Sequence, residues 1–118
     1  MKAAVIGSRG LSVDDLEKYL PAEIDEIVTG GAKGIDASAA MYARTHSIEL
    51  TEYLPDYKRY GRCAPLKRNI LIVENADIVY AFWDGMSHGT KYVIDYCHKH
   101  GIPIKIIRNG GRQAPAPY

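Results

Sequence analysis

The feature that most constrains the fold of this chain is an alternation of short apolar runs with segments of helical periodicity. Parallel neighbours in a sheet need crossover connections, and intervening helices supply them. The pattern therefore predicts an α/β protein, a three-layer α/β/α sandwich in which helices cover both faces of a five-stranded parallel sheet. The predicted strands span residues 2–7, 24–29, 48–54, 77–83 and 102–107.

Four segments between these strands are predicted to be helices. The first begins at Ser12, where Asp15 three positions later forms a capping-box pattern, and Pro21 ends it. Residues 55–63 are expected to be irregular, and Gly101 is the expected stop of the fourth helix. The faces predicted to pack on the sheet are Val13, Leu16 and Leu20; Ile35, Ala39, Tyr42 and Ala43; Leu66, Ile70 and Val73; and Val93, Ile94 and Cys97.

Length and composition limit the chain to one domain. At 118 residues, with 47% hydrophobic and 25% charged residues, it resembles an ordinary globular protein and is too short for two cores. We expect the domain to span residues 1–108 and the glycine- and proline-containing tail, 109–118, to be flexible. The formal net charge is only +1, so any role with phosphate or nucleic acid depends on local clusters of basic residues.

The chain carries no pattern for export or membrane insertion. The apolar run after Lys2 is interrupted at Ser8, too early for a signal-peptide core, and no later run approaches the roughly 20 apolar residues that span a bilayer. Cys63 and Cys97 match no metal-ligand spacing and are predicted to be free thiols in a reducing compartment. We therefore predict a cytoplasmic protein with no metal site, no cofactor and no membrane partner.

A glycine loop from Thr29 to Asp36, TGGAKGID, joins the second strand to the second helix. Glycines let the backbone approach a ligand closely, and the first NH groups of a helix have no partners within it. We expect this loop to hold phosphate, with Lys33 adding positive charge. Similar polar, glycine-rich or basic segments follow three other strands: GSRG at 7–10, YGRCAPLKRN at 60–69 and WDGMSHGT at 83–90. Since ligands of open parallel sheets bind beyond the carboxyl ends of the strands, these segments are predicted to form one site.

The predicted site combines helix starts, cations and a base or sugar subsite. The starts of the second and fourth helices would hold one phosphate from two sides. Arg9, Arg62 and Arg68 would support it with positive charge, and Trp83 with Asp84 would line a base or sugar subsite. The predicted ligand-binding residues are Gly7, Ser8, Arg9, Thr29, Gly30, Gly31, Lys33, Gly34, Asp36, Arg62, Arg68, Asn69, Trp83, Asp84, Ser87, Gly89 and Thr90.

Several of these groups also have a purely structural interpretation. Arg9 would suit a surface ion pair, and Asp36 in the first turn would favour the dipole of its helix. His88 would act as a general base or simply face solvent. The basic residues among the tyrosines of residues 53–68 suit stacking on a base, although a solvated helix face explains Lys67 equally well.

Two common nucleotide-binding motifs are absent from the sequence. GSRG is not the GxGxxG fingerprint, and no acidic residue ends the second strand, which disfavours an NAD-dependent dehydrogenase. TGGAKGID lacks the Lys and Ser/Thr that follow the final glycine of a Walker A motif, which disfavours ATP or GTP hydrolysis of the P-loop type.

Taken together, GSRG, TGGAKGID, YGRCAPLKRN and DGMSHGT resemble the SLOG superfamily of small Rossmann-like proteins. That group includes the DNA-processing protein DprA (Smf), the LOG-type phosphoribohydrolases that activate cytokinins, and stand-alone YspA- or YpsA-like proteins. The resemblance runs in order over residues 1–108, and the GSR, GGAxGID and RN elements are most similar to DprA and the YspA-like branch. It implies a Rossmann-like sheet with strand order 3-2-1-4-5.

The resemblance implies three functions that differ between branches. The stand-alone branch implies binding of a nucleotide or nucleotide-derived ligand by a sensor or accessory protein, which we take as the prediction. The LOG branch implies hydrolysis of a nucleoside monophosphate, but Val93 replaces the glutamate of its PGGxGTxxE motif, leaving Asp36 and Asp84 as candidate catalytic groups. The DprA branch implies binding of single-stranded nucleic acid. Family members commonly pair through helices, which implies a homodimer.

Overall fold

The strands form a single parallel sheet, as the sequence predicts. The computed structural model describes residues 1–31 and 34–108. The order across the sheet is β3-β2-β1-β4-β5, and every neighbouring pair is parallel. This arrangement confirms the three-layer Rossmann-like fold. The strands are β1 (Lys2–Gly7), β2 (Glu26–Thr29), β3 (Glu49–Glu52), β4 (Ile78–Trp83) and β5 (Ile104–Arg108).

Helices pack on both faces of the sheet. They are α1 (Ile35–Thr45), α2 (Tyr57–Tyr60), α3 (Ala64–Glu74) and α4 (His88–His100), with 3₁₀ turns at Leu16–Lys18 and Gly61–Cys63. Ile35 and Ala39 of α1 share one buried cluster with Val5 of β1. Residues of α3 and α4, including Val73 and Ile94, share a second buried cluster on the opposite face.

The predicted first helix, from Ser12 to Leu20, does not form. Only Leu16–Lys18 is helical, as a 3₁₀ turn, and Asp15 makes no side-chain capping hydrogen bond. The segment instead lies against α1, where the backbone NH of Val13 donates to the Ser38 hydroxyl at 3.0 Å. The three apolar residues predicted to face the sheet, Val13, Leu16 and Leu20, are nevertheless buried. The prediction from their spacing was therefore correct for burial and wrong for the helix.

The segment that was expected to be irregular, residues 55–63, contains α2 and a 3₁₀ turn. Asp56 caps α2 by accepting the backbone NH of Arg59 at 3.1 Å. The helix that follows, α3, is also rotated from its expected orientation, because Leu66 and Ile70 are only half-buried. Its buried residues are Ala64, Arg68, Ile72 and Val73.

Two glycines determine where helices begin and end: Gly7 at the start of α1 and Gly101 at the end of α4. A Cβ on Gly7 would lie 2.5 Å from Cγ1 of Ile35 and 2.6 Å from the carbonyl oxygen of Phe82, so glycine lets α1 begin directly above β1. Gly101 adopts the left-handed conformation at the end of α4, where the sequence predicts a stop. Within residues 1–31 and 34–108, no helix is long and apolar enough to cross a membrane. The tail expected at 109–118 and the predicted phosphate ligand Lys33 lie outside the described residues.

Candidate functional site

A cleft of about 180 Å³ lies at the carboxyl ends of β1 and β4, where the strand order reverses. Apart from Ile6 and Pro65, every residue that lines it belongs to the predicted ligand-binding set. The lining residues are Ile6, Gly7, Ser8, Arg9, Asp36, Pro65, Arg68, Asn69, Ser87, Gly89 and Thr90. The structure thus brings together residues from four separate segments of the chain.

Arg68 is the most firmly positioned cation of this cleft. Although it comes from α3, its Nη1 donates to the carbonyl oxygens of Gly30 at 2.7 Å and Tyr53 at 3.4 Å. Its Nε donates to Oδ1 of Asn69 at 2.8 Å. A Cβ on Gly30 would lie only 2.5 Å from Nη1, so the glycine leaves room for the guanidinium. Arg68 therefore links α3 to the ends of β2 and β3.

The charges around Arg68 favour an anion in the cleft. Burial lowers the pKa of Arg68, the nearby Asp36 and Tyr57 act to raise it, and Arg9 acts to lower it. The guanidinium stays charged at neutral pH, because arginine keeps its proton even when burial lowers its pKa. Arg9 is exposed, and Asp36 is buried. Two arginines close enough to repel each other, with one carboxylate beside them, leave a net positive charge at the cleft.

Ser8 joins the loop after β1 to the loop after β4. Its buried hydroxyl accepts the backbone NH of Asp84 at 3.2 Å and shares a hydrogen bond with the Ser87 hydroxyl at 2.9 Å, in which either can donate. Both serines line the cleft. This pair can offer a hydroxyl proton to an anion without losing the contact between the two loops.

The start of α4 supplies the remaining donors. Ser87 occupies the position before the helix but makes no side-chain capping hydrogen bond, since its hydroxyl faces Ser8. Gly89 and the buried Thr90 of the first turn line the cleft. Unpaired NH groups and the dipole at the start of a 13-residue helix favour an anion.

Asp84 stabilises its own loop and does not line the cleft. Its Oδ1 accepts the backbone NH groups of Met86 and Ser87, each at 2.8 Å. Burial acts to raise the pKa of Asp84, but these amides and the Ser8 hydroxyl outweigh it and hold the pKa below its ordinary value. Its carboxylate is thus ionised and engaged at neutral pH.

Of the other predicted ligand-binding residues that the structure describes, Thr29 and Trp83 contact the protein itself. The buried Thr29 hydroxyl donates to the carbonyl oxygen of Val5 at 2.8 Å. Trp83 donates its indole NH to the carbonyl oxygen of Ser87 at 3.1 Å, and the Arg108 guanidinium lies 5.2 Å from its ring centroid. Arg62 is exposed on the second 3₁₀ turn and does not line the cleft.

The glycines of the TGGAKGID loop also face protein atoms. Gly34 has a φ of 74°, and a Cβ there would lie 2.5 Å from the carbonyl oxygen of Arg9. A Cβ on Gly31 would meet the side chain of Leu54 at 2.8 Å. Of the residues of this loop that the structure describes, only Asp36 lines the cleft.

Three contributors to the site were not predicted from the sequence: Ile6 at the end of β1, Pro65 and the backbone carbonyl of Tyr53. Pro65 lines the cleft from the first turn of α3, where proline is favoured because that NH group has no partner within the helix. The carbonyl oxygen of Tyr53 helps to hold Arg68, and because every residue has a backbone carbonyl, no sequence pattern predicts this contact. Among the described residues, no three histidine, cysteine, aspartate or glutamate side chains are grouped so that they could hold a metal ion.

Comparison with known proteins relates this chain to a protein family and to a phage protein. A family model described as the YspA, cpYpsA-related SLOG family matches residues 7–60, which include GSRG and TGGAKGID. The Gene 61 protein of Mycobacterium phage D29 is 36% identical over 84 residues, which cover 66% of this chain and 67% of the phage protein. No solved structure matches the chain.

Proposed function

We propose that this chain, which belongs to the YspA, cpYpsA-related SLOG family, binds a nucleotide or a nucleotide-derived phosphate ligand as a sensor or accessory protein. The observation that carries the proposal is the placement of Arg9, Arg68 and the start of α4 around one cleft. The family membership supports a nucleotide-related ligand in general, and the cleft supports phosphate as the group that is held.

The donors of the cleft match the acceptors of a phosphate group. Arginine presents several NH donors in a planar fork that suits phosphate oxygens, and Arg9 supplies such a fork. Arg68, whose Nε and Nη1 donate to the protein, supports the phosphate with its positive charge. The Ser8–Ser87 hydroxyl pair and the first NH groups of α4 add neutral donors. Hydrogen bonds to a charged group each contribute about 1.5–3 kcal/mol, so three or four of them are enough for micromolar binding before entropic costs.

The volume of the cleft suggests that it holds only one end of the ligand. Pockets for whole small molecules commonly measure about 300–1,000 Å³. At about 180 Å³ the cleft suits a phosphate with part of its sugar. The rest of a nucleotide would extend beyond it.

Calorimetry with AMP, ADP-ribose and NAD tests this proposal. We expect the wild type to bind and Arg9→Gln to lose affinity about five- to tenfold, because the variant lacks one charged donor of the cleft. Arg9 is exposed, so its replacement should leave the fold intact. Arg44→Gln is the matched control, since it removes the same charge from the exposed end of α1. Absence of binding at millimolar ligand, in protein shown to be folded, would overturn the proposal.

Hydrolysis of a nucleoside monophosphate is a second candidate function, and Asp36 favours it. This buried carboxylate lines the cleft, where it is placed to stabilise positive charge that develops at the sugar. The hydrolase route of the LOG branch is weakened because Val93, at the position of its glutamate, is only 1% exposed and packs in the core.

Release of free adenine from AMP decides between binding alone and hydrolysis. If the chain is a hydrolase, chromatography detects adenine and Asp36→Asn abolishes its release. Asp84→Asn is the control, because Asp84 engages its own loop and does not line the cleft. Intact AMP after prolonged incubation with folded wild-type protein would eliminate the hydrolase.

A further inference from the structure

A second groove adjoins the cleft on the far side of Arg68. Its volume is about 230 Å³, and it lies between α3 and the residues that follow β3. Arg68 lines both hollows, so a ligand held in the cleft would have this groove as its neighbour. The two volumes together fall within the range of about 300–1,000 Å³ that is usual for whole small-molecule ligands.

The walls of this groove are mainly apolar, with three charged side chains among them. The lining residues are Leu54, Tyr60, Ala64, Ile70 and Leu71 together with Asp56, Lys67 and Arg68. Leu54 is 68% exposed, Leu71 47% and Tyr60 36%, and all three line the groove. Single exposed apolar side chains are common, but these three line one hollow, and small-molecule sites are lined mainly by apolar and aromatic side chains. The groove thus offers apolar contact directly beside the positively charged cleft.

Tyr60 presents an aromatic face with cations beside it. The Arg59 guanidinium carbon lies 5.3 Å from the ring centroid, and Nζ of Lys67 lies 5.7 Å from it. Both cations are exposed and sit on long side chains, so either can move aside for a flat ligand. An aromatic ring that stacked on Tyr60 would remain within reach of the second cation.

We propose that this groove is the base subsite of the same ligand. The nucleobase stacks on Tyr60 between the apolar side chains of Leu54 and Leu71, the phosphate occupies the cleft, and Arg68 lies between them. This inference rests on the proposed function and deepens it, because it names a nucleoside phosphate rather than a sugar phosphate as the ligand class. A mainly apolar groove that shares Arg68 with a phosphate-sized cleft fits one molecule with a flat ring at one end and an anion at the other.

Titration with AMP and with ribose 5-phosphate tests the subsite. Base stacking on an aromatic side chain contributes about 1–3 kcal/mol, so Tyr60→Ala should weaken AMP binding about five- to hundredfold. The affinity of Tyr60→Ala for ribose 5-phosphate, which has no base, should equal that of the wild type. Tyr60→Phe should keep the affinity for AMP, because phenylalanine retains the stacking face.

Tyr92→Ala is the matched control. Tyr92 is 38% exposed, close to the 36% of Tyr60, but lies on α4 outside the groove and the cleft. Its removal should leave the affinities for both ligands unchanged. Circular dichroism on each variant establishes that it is folded.

Each other outcome has a distinct meaning. Equal AMP affinity in wild type and Tyr60→Ala, with ribose 5-phosphate still bound, would overturn the base subsite and leave phosphate binding in place. A loss of AMP affinity in Tyr60→Phe as large as in Tyr60→Ala would overturn stacking as its basis. Failure of the wild type to bind either ligand would reject the proposed function, and the base subsite with it.

Discussion

The loops that follow β2 and β4 look alike in the sequence but contribute differently to the cleft. Both are glycine-rich and both lead from a strand of the sheet into a helix. The loop after β4 contributes Ser87 to the lining of the cleft, and the first turn of the helix it enters, α4, contributes Gly89 and Thr90. Of the described residues in the loop after β2, only Asp36 does so.

The difference lies in what approaches each glycine. Arg68 lies against Gly30, and the backbone of Arg9 and Leu11 lies against Gly34. A Cβ on Gly89 would meet no atom within 4 Å. The absence of a side chain therefore admits other parts of the protein at Gly30 and Gly34 and leaves open space at Gly89. Gly85, also in the loop after β4, resembles the first two, because a Cβ there would lie 2.6 Å from Nη2 of Arg108. Glycine content alone does not distinguish these two uses.

The largest expected effect is that of Gly34→Ala. Alanine at a φ of 74° is strained, and its Cβ would lie 2.5 Å from the carbonyl oxygen of Arg9, which is backbone and cannot simply move aside. Strain and overpacking each cost about 1–3 kcal/mol, so we expect the free energy of unfolding to fall by about 2–4 kcal/mol in urea titrations.

Gly89→Ala is the variant to compare with Gly34→Ala. Gly89 lies in the first turn of α4, directly after the loop that follows β4. With nothing near the new Cβ, we expect its free energy of unfolding to stay within about 1 kcal/mol of wild type. Its affinity for AMP should fall, because Gly89 lines the cleft. If Gly34→Ala were as stable as Gly89→Ala, the contrast between the two loops would be lost.

An intermediate effect is expected for Arg68→Met, which removes the group that Gly30 accommodates. The carbonyl oxygens of Gly30 and Tyr53 lose a charged donor, and the buried Asp36 loses a nearby cation. Leaving buried acceptors unsatisfied costs about 1–3 kcal/mol, so we expect a loss of about 2 kcal/mol in the free energy of unfolding. AMP affinity should fall as well. Unchanged stability in urea would show that the two carbonyl contacts are dispensable.

The smallest effect, about 1 kcal/mol, is expected for Asp84→Ala in the loop after β4. This carboxylate accepts two backbone NH groups, but it is only half-buried, so water can replace much of what the two hydrogen bonds contribute. Because folding lowers its pKa, its contribution should be complete above its ordinary value of 3.8 and should decline as the pH falls through its folded value.

Urea unfolding of wild type and Asp84→Ala at pH 7, 5 and 3 measures this dependence. The difference between the two free energies of unfolding should be similar at pH 7 and 5 and smaller at pH 3. Other titrating groups, such as Asp25 beside the N-terminus, are common to both proteins and cancel in the difference. A difference that stayed constant down to pH 3 would mean that the charge of Asp84 does not contribute.

The sequence was sufficient to predict the sheet because β1, β2 and β4 carry strong apolar signals, although β3 (ELTE) is of mixed character. Alternation of strands with crossover segments implied a parallel sheet, and the family resemblance implied the order that the structure shows. It also indicated where to look for a site, since polar segments after several strands must meet at one edge. Residues as distant as Ser8 and Ser87 consequently lie within hydrogen-bonding distance.

Helical periodicity was less reliable where tertiary contacts compete with it. Residues 12–20 have helical spacing, but the contact of Val13 with Ser38 holds the segment against α1 in another conformation. In α3, the apolar pattern placed Ile70 inward, whereas Arg68 faces the interior because two backbone carbonyls satisfy its guanidinium. The hydrogen-bond partners of Val13 and Arg68 come from other segments of the chain, so the local spacing of apolar residues could not predict these contacts.

The carbonyl contacts of Arg68 have a consequence for the entropy of binding. A free arginine side chain samples many rotamers, and ordering one on binding costs about 0.5–1.5 kcal/mol. Here Gly30 and Tyr53 restrict the rotamers of Arg68 before any ligand arrives. Folding has already imposed that loss of freedom, so an anion that enters the cleft meets a cation in a preorganised orientation.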